Sequence, residues 1–400
     1  MVTDTELQLL RADIESRLPG YLDDLRRLTS IDCGTYTVDG VNEVGRWFAE
    51  QMRELGADVE VVPGSRFGDT VVGRLGGGSD GPAALLVGHM DTVFDEGTAS
   101  ERPFRMDERR AYAPGVSDMK CGLVSGVYAL RALRAVAGGG GADGADWLPF
   151  SRLAYVGNPD EEVASPESTP LIAGEARQSD VAFVLESARA NGDIVSARKG
   201  VADIRLHLRG RAAHAGVEPE KGRSAVVEAA HKTLALAALN GRWPGVTLNV
   251  GVVSGGTRPN VVAEEAHLQL DLRAVDQAAM EAAEAEIERI CASSMVPDVS
   301  CTIELGDRFA PMPRTEAIGQ LAERAITLAA RLGFELRDVA TGGGSDANGI
   351  AGLGVPVLDG LGPIGGGDHS ADEYLELDSI VPRTTLLAAL LLDVGRRGPP

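Results

Sequence analysis

Short apolar runs alternate with longer amphipathic stretches in the N-terminal half of the chain, and this alternation restricts the fold more than any other sequence feature. The apolar runs are bounded by Gly, Pro, Asp or Asn, as strands usually are, and lie at Val71–Leu75, Ala83–Val87, Leu153–Val156 and Val181–Leu185. Helical periodicity marks residues 5–30, 41–55 and Gly122–Ala137. Strands separated by helices predict an α/β domain, in which a mostly parallel sheet carries helices on both faces.

The pattern changes near residue 200, where the predicted order becomes strand, helix, strand, strand, helix, strand. The two helices lie at Ser224–Leu239 and Asp276–Ser293, and the last strand lies at Val299–Leu305. This order predicts a compact α+β insert of the ferredoxin-like type.

After Pro313 the first pattern returns, beginning with a helix over Glu316–Leu332. A chain of 400 residues also exceeds what one hydrophobic core usually supports. We therefore expect a discontinuous domain at 1–197 and 313–400 that is interrupted by a smaller domain at 198–312. The glycine-rich tract at 137–146 is expected to be a flexible surface loop without a function of its own.

The net charge of −21 argues against a nucleic-acid partner, because such a partner requires a cationic face. No apolar run is long enough to span a membrane, and the N-terminal segment lacks the basic start and apolar core of a signal peptide. The cysteines form no CxxC pair and are too sparse for a disulfide scaffold. These features predict a cytoplasmic protein with neither a nucleic-acid nor a membrane partner.

Polar residues that can bind metal follow several of the predicted strands. They are His89 and Asp91 after Ala83–Val87, Asp118 in the next segment, Glu161 and Glu162 after Leu153–Val156, Glu186 after Val181–Leu185, and His369 far downstream. Ligands of open α/β sheets gather at the carboxyl ends of strands. A single acid at such a position is more often a helix cap or a solvated loop residue, but so many together favour a metal site.

Imidazole and carboxylate ligands without thiolates suit Zn²⁺, with Co²⁺ or Mn²⁺ as alternatives. Five ligands are too many for one open ion, so we expect two ions that share the Asp118 carboxylate. Asp91 is spaced to accept the second N–H of His89. Of the adjacent Glu161 and Glu162, one is expected to bind metal and the other to act as the general base.

The remaining histidines in predicted strands and helices, His207, His231 and His267, are interpreted as ordinary surface or core residues.

The motifs resemble those of the M20 metallopeptidase family, and most closely its glutamate carboxypeptidase branch. The resemblance extends over nearly the whole chain and keeps the family's order: GHMDTV at 88–93, RPFR at 102–105, AYAPGVSDMKCG at 111–122, NPDEE at 158–162, RAAHAG at 211–216, RPNVV at 258–262, DLR at 271–273, TGGGSDAN at 341–348 and DHSADEY at 368–374. Departures occur at Asn158, Ala113 and Cys121, and none removes a proposed ligand.

The resemblance implies a role for each residue of the metal cluster. Asp118 would bridge two zinc ions, and His89, Glu162, Glu186 and His369 would complete their ligands. Glu161 would be the general base, and Asp91 the carboxylate that supports His89. The family also implies a cis peptide between Asp118 and Met119.

For the insert, the resemblance implies a lid and dimerisation domain. His214 matches a histidine that stabilises the oxyanion in the partner subunit's active site, and Asn260 and Arg273 match substrate-binding positions. Gly343 and Gly344 belong to a segment, Gly342–Gly344, that resembles a backbone clamp. Judged from the residues alone, Arg273 could instead pair with a local acid such as Asp271.

Together with the resemblance to the glutamate carboxypeptidase branch, the sequence predicts a di-zinc hydrolase. Its expected reaction is cleavage of the amide bond of an N-acyl amino acid or a short peptide with a free C-terminal carboxylate. The alternatives are an aminoacylase or amidase with another substrate, and a non-catalytic peptide-binding relative. A phosphotransferase that uses the GGGSD segment lacks the lysine of a phosphate-binding loop.

Overall fold

A computed structural model of the chain describes residues 1–77, 80–137 and 147–400. Most of the glycine-rich tract predicted to be a loop, residues 138–146, lies outside the described residues. The chain forms two compact units. The first unit consists of Met1–Ala197, Arg314–Ala340 and Ser345–Pro400, and the second unit consists of Arg198–Pro313 and Thr341–Gly344.

The helices of the described residues are α1 (Asp4–Thr29), α2 (Val38–Glu54), α3 (Thr98–Glu101), α4 (Cys121–Ala137), α5 (Thr169–Ala176), α6 (Ala225–Ala237), α7 (Gln277–Ala292), α8 (Glu316–Leu332), α9 (Asp346–Gly352) and α10 (Leu377–Arg397). Two of their ends show ordinary capping chemistry. Thr3 and Glu6 form a reciprocal capping box at the start of α1, and α8 ends at Gly333, whose φ of 90° favours glycine. None of the helices in the described ranges combines the length and apolar composition that a membrane span requires.

The strands are β1 (Asp58–Val62), β2 (Thr70–Gly76), β3 (Ala83–His89), β4 (Arg105–Met106), β5 (Arg110–Tyr112), β6 (Arg152–Asn158), β7 (Val181–Val184), β8 (Ile194–Arg198), β9 (Gly200–Arg209), β10 (Thr247–Gly255), β11 (Glu265–Ala274), β12 (Ser300–Phe309), β13 (Asp338–Thr341), β14 (Val357–Leu358), β15 (Gly365–Gly366) and β16 (Tyr374–Glu376).

The main sheet of the first unit has the order β1-β2-β6-β3-β7-β14. Strands β6, β3, β7 and β14 run parallel to one another, whereas β2 pairs antiparallel with both β6 and the edge strand β1. Almost every residue of β3 and every residue of β7 is buried, as expected where helices cover both faces of a parallel sheet. The predicted mostly parallel α/β sheet is confirmed.

A second, smaller sheet in the first unit was not predicted. It has the order β15-β16-β5-β4 and consists of strands two or three residues long. Such short strands carry almost no alternating pattern, so the sequence gives little sign of them. The turn that joins β15 to β16 contains His369.

The second unit has the predicted order of elements, β9-α6-β10-β11-α7-β12, and its antiparallel sheet has the order β10-β11-β9-β12. Alternate residues of β9, such as Ile204, Leu206 and Leu208, are buried in a core that α6 and α7 complete. The intervening residues, among them Arg205 and His207, lie on the opposite face of the sheet.

A buried ion pair ties α6 to the end of α7 in the second unit. Lys232 Nζ donates to the carbonyls of Ile290 (2.7 Å), Cys291 (3.2 Å) and Ser293 (2.6 Å) and lies 3.3 Å from Glu228 Oε1. The other Glu228 oxygen accepts the backbone N–H groups of residues 295 and 296. Lys232 therefore caps the carboxyl end of α7, which a cation stabilises.

Replacing Lys232 with Met should lower the free energy of unfolding by about 3 kcal/mol, because Glu228 would be left buried and unpaired and the helix carbonyls unsatisfied. Urea denaturation followed by circular dichroism measures the change. Lys221→Met is the matched control, since Lys221 makes an exposed ion pair with Glu218 and its loss should change stability by less than about 0.5 kcal/mol. Equal stability of the two variants would contradict this account.

Candidate metal centre

Three neighbouring parallel strands bring the predicted ligands of the first unit together. Strands β6, β3 and β7 lie side by side, and each is followed at its carboxyl end by one or more ligand candidates. His89 is the last residue of β3, Glu161 and Glu162 begin a short 3₁₀ turn after β6, and Glu186 follows β7. Asp118 lies in the irregular segment Val116–Lys120 just before α4, and its own backbone angles are not helical.

The Asp118 carboxylate contacts both candidate histidines. Its Oδ1 lies 2.9 Å from His89 Nε2, and its Oδ2 lies 3.2 Å from His369 Nε2. Glu186 Oε1 lies 3.7 Å from His89 Nε2, and Glu162 Oε2 lies 3.1 Å from His369 Nε2. Each imidazole therefore faces Asp118 and one further carboxylate. The peptide between Asp118 and Met119 is cis.

Asp91 is fully buried and connects the end of β3 to the Glu161–Glu162 turn. Its carboxylate accepts the Thr35 hydroxyl (2.7 Å) and the backbone N–H groups of Glu161 (3.2 Å) and Glu162 (3.3 Å). His89 Nδ1 lies 3.0 Å from the Asp91 backbone oxygen and 3.4 Å from its carboxylate. The backbone oxygen thus makes the shorter contact that orients His89, although the spacing of the sequence had suggested the carboxylate.

The electrostatics of the cluster show an excess of negative charge. Burial raises the pKa of Asp118, but contacts with His369 and His89 outweigh burial and hold it well below its usual range. Burial raises the pKa of both Glu161 and Glu162. Contacts with Asp118 and Glu162 raise the pKa of His369 to about 10. Divalent cations would relieve this concentration of carboxylates.

The residues present fit such cations. In each of two groups of three residues, the donor atoms lie within 4.8 Å of one another. One group is His89, Asp118 and Glu162, and the other is His89, Glu161 and Glu186. Among the described residues, Glu162 Oε1 is buried without a hydrogen-bond partner. A buried carboxylate oxygen without a partner is unfavourable unless a cation binds it. The mixed nitrogen and oxygen donors suit zinc, manganese or cobalt.

One residue of the site, Glu373, was missed by the sequence reasoning. It is 2% exposed, and its carboxylate accepts the backbone N–H groups of Gly115 (2.8 Å), Ser117 (2.8 Å) and Asp118 (3.0 Å). Burial raises the pKa of Glu373 to about 7. Glu373 holds the backbone that carries Asp118. The DHSADEY motif contains this residue, but only the fold shows what it contacts.

The departure at Asn158 is also part of a buried network. Asn158 Nδ2 donates to Asp346 Oδ2 (2.6 Å) and to Ser165 Oγ (2.8 Å), and Ser165 Oγ donates to Asp346 Oδ1 (2.6 Å). Because Asn158 pairs with His89 in the β3–β6 register, this network supports the strand ends that carry the cluster.

In the second unit, His214 and Asn260 lie on adjacent segments. His214 forms an isolated bridge with Val261, and the Ala215 N–H donates to the Asn260 carbonyl (3.0 Å). Both residues are exposed, and His214 Nδ1 accepts the Gly216 N–H (3.1 Å). Their side chains are therefore free of the core of the second unit.

Arg273 makes the local pair that the residues alone suggested. Its Nε and Nη2 atoms donate to Asp271 (2.9 and 2.8 Å), and its Nη1 donates to the Gly342 carbonyl (2.6 Å).

A second arginine contacts the same glycine segment. Arg198 donates to the carbonyls of Gly343 (3.0 Å) and Gly344 (3.2 Å). A Cβ at Gly344 would lie 2.6 Å from the Phe309 ring, so the close packing there requires glycine. Two arginines thus hold the Gly342–Gly344 segment.

The cluster at the strand ends is suited to divalent cations, and comparison with known families shows a metal-dependent hydrolase. The model of Peptidase family M20/M25/M40 matches residues 85–393, so the chain belongs to this family. The resemblance noted in the motifs is thereby confirmed. Its members are metal-dependent hydrolases of peptides or acyl amino acids.

Individual relatives cover most of the chain. Carboxypeptidase G2 of Pseudomonas sp. (strain RS-16) is 28% identical over 385 residues, which are 94% of this chain and 90% of that protein. Acetylornithine deacetylase of Proteus mirabilis (strain HI4320) is 28% identical over 279 residues, which are 64% of this chain and 67% of that protein. The crystal structure of aminopeptidase PepT from Bacillus cereus ATCC 10987 matches with a TM-score of 0.76 at 23% identity and covers 94% of this chain and 98% of that one.

Replacing Glu373 with Gln should weaken the binding of added Zn²⁺, used as the probe metal, about tenfold, because groups that orient a ligand typically contribute that much to metal affinity. Competition with a chromophoric chelator measures the affinity. Glu376→Gln is the matched control, since Glu376 lies close by in the chain but makes a partly exposed ion pair with Arg110. Equal zinc affinities in the two variants would show that Glu373 does not position Asp118.

Proposed function

We propose that this chain is a di-zinc hydrolase that cleaves the amide bond of an N-acyl amino acid or of a short peptide with a free C-terminal carboxylate. The observation that carries the proposal is the position of Asp118 between two imidazole–carboxylate pairs, with the Glu161 turn beside them. One shared carboxylate between two such pairs is the arrangement that a two-ion site needs.

In this proposal His89 and Glu186 hold one ion, His369 and Glu162 hold the other, and Asp118 binds both. The short contacts of Asp118 with both imidazoles support this division. Zinc is the preferred metal because the donors are imidazole nitrogens and carboxylate oxygens, with Co²⁺ or Mn²⁺ as alternatives.

When bound, the ions act as Lewis acids that lower the pKa of the attacking water and withdraw charge from the scissile carbonyl. Glu161 takes the proton of that water and then delivers it to the leaving nitrogen. Burial raises the pKa of Glu161, which is the direction that favours a carboxylate as a proton acceptor. Asp91 supports this step, because its carboxylate accepts the Glu161 N–H (3.2 Å).

The substrate's carboxylate and the oxyanion are assigned to residues of the second unit. Arg273 would hold the carboxylate with its planar guanidinium, Asn260 and the backbone of Gly343 and Gly344 would complete the binding site, and His214 would stabilise the oxyanion. The pairing of Arg273 with Asp271 supports this role in one respect, since it fixes the guanidinium in a single orientation.

The relatives support two kinds of substrate. One is named a carboxypeptidase, and others are named acetylornithine deacetylase and succinyl-diaminopimelate desuccinylase. The carboxypeptidase relative covers 94% of this chain, which favours a glutamate carboxypeptidase-like activity. An aminoacylase or amidase activity of the same site is the second candidate, because the deacylases are also similar.

We also propose that the protein acts as a cytoplasmic homodimer. Edge strand β10 presents Val252 (45% exposed) and Val253 (53% exposed), and an apolar edge strand is suited to pairing with a second copy. The cytoplasmic assignment rests on the cysteines of the sequence, which form no CxxC pair and are too sparse for a disulfide scaffold. A role of His214 in the partner's site requires the dimer.

Replacing Glu161 with Gln should lower kcat by at least about 10³-fold while leaving about two zinc ions per chain, because Gln cannot carry the proton. Steady-state hydrolysis and metal analysis of the same sample separate the two effects. Glu162→Gln is the comparison variant and should lose bound zinc as well. A Glu161→Gln enzyme that keeps its turnover would overturn the assignment of the base.

Replacing Arg273 with Met should remove the preference for a substrate carboxylate. The wild-type enzyme is expected to favour an N-acyl amino acid over its C-terminal amide by about 100-fold or more in kcat/KM, because a charged hydrogen-bonded pair is lost in the amide. Arg205→Met is the matched control, since Arg205 also pairs with an acid two residues before it in a strand. An unchanged preference in Arg273→Met would exclude Arg273 as the carboxylate-binding residue.

A further inference from the structure

Two histidines that were interpreted as ordinary surface or core residues lie together on the exposed face of the second unit's sheet. His207 in β9 and His267 in β11 occupy directly opposite positions in the antiparallel register. Their Nδ1 atoms lie 3.0 Å apart, and their rings meet at an interplanar angle of 77°. Both Nδ1 atoms therefore face the same small gap.

Glu304 in β12 fixes the tautomer of His207. Its Oε2 lies 2.8 Å from His207 Nε2, while Arg205 Nη1 lies 3.3 Å from its other oxygen. A carboxylate next to Nε2 requires a proton on that nitrogen, so the lone pair of neutral His207 is on Nδ1. This is the arrangement in which a carboxylate orients a metal-binding imidazole.

The gap between the two Nδ1 atoms suits a group that accepts electron pairs. When His267 also carries its proton on Nε2, which is directed away from the contact, both lone pairs point into the gap. Two lone pairs at 3.0 Å repel each other unless a proton or a metal ion lies between them. His207 is 40% exposed and Glu304 is 53% exposed, so an ion can enter from solvent.

The distance selects the class of metal. With metal–nitrogen distances of about 2.0–2.1 Å, an N···N separation of 3.0 Å corresponds to an N–metal–N angle of about 91–97°. That angle fits the square-planar or tetragonal coordination of Cu²⁺ and Ni²⁺ and is smaller than the tetrahedral angle of zinc. Copper is favoured over nickel because its complexes with nitrogen ligands are the more stable.

We propose that His207 and His267 form a surface binding site for one Cu²⁺ or Ni²⁺ ion, oriented by Glu304 and made entirely of residues of the second unit. Water completes the coordination of the ion. The site does not depend on the activity proposed above, because none of its residues belongs to the hydrolytic machinery.

The test uses the zinc-loaded, full-length protein and CuCl₂ as the probe. Calorimetric titration gives the affinity for copper and the number of copper ions bound. A zinc-sensitive dye detects any zinc that copper displaces, and electron paramagnetic resonance detects nitrogen ligands of the copper. The expected result is about one additional Cu²⁺ per chain, with hyperfine structure from two nitrogens and no zinc release. His207→Gln and His267→Gln should each weaken this binding at least tenfold, and Glu304→Gln about tenfold at unchanged stoichiometry.

His231→Gln is the matched control, because His231 is an exposed histidine on α6 outside this pair. It should bind copper as the wild-type protein does, and all these variants should keep the basal hydrolysis rate. Copper binding of equal strength in His207→Gln, His267→Gln and the control would overturn the proposal. So would release of zinc by the first equivalent of copper, since the ion would then occupy the zinc centre.

Discussion

The contact of one carboxylate, Asp118, with two imidazoles is the interaction on which the rest of the first unit depends. Its oxygens lie 2.9 Å from His89 and 3.2 Å from His369, although these histidines are separated by most of the chain. It is unfavourable to bury several carboxylates close together unless positive charge compensates them, and this cluster contains Asp118, Glu161, Glu162 and Glu186. The parallel strands, the Glu373 contacts and the Asp91 contacts all serve to maintain this arrangement.

Much of this arrangement could be predicted from the sequence, because its cause is local. Each apolar strand ends where its ligand residue begins, and parallel neighbours bring their carboxyl ends to the same edge of a sheet. Strands β3, β6 and β7 are neighbours in the sheet, and this arrangement brings His89, Glu162 and Glu186 close together. The order of elements in the second unit was predictable for the same reason, since alternation and helical periodicity are visible in short windows.

What could not be predicted depends on contacts between distant segments. Glu373 binds the backbone near Asp118, but nothing in its immediate sequence identifies three N–H groups as its partners. The pair of His207 and His267 depends on the register of β9 against β11, and a shift of one residue would place the two side chains on opposite faces. The pair of Arg273 and Asp271 is different, because its members are only two residues apart in the sequence and the contact could be predicted from that spacing.

The central claim is that Asp118 binds two ions, each of which is also bound by one histidine. Crystals of the zinc-loaded protein measured on both sides of the zinc absorption edge test it directly. The account predicts two anomalous peaks in each copy of the first unit, one beside His89 and Glu186 and the other beside His369 and Glu162, with Asp118 between them. A single peak, or two peaks of which neither contacts Asp118, would contradict it.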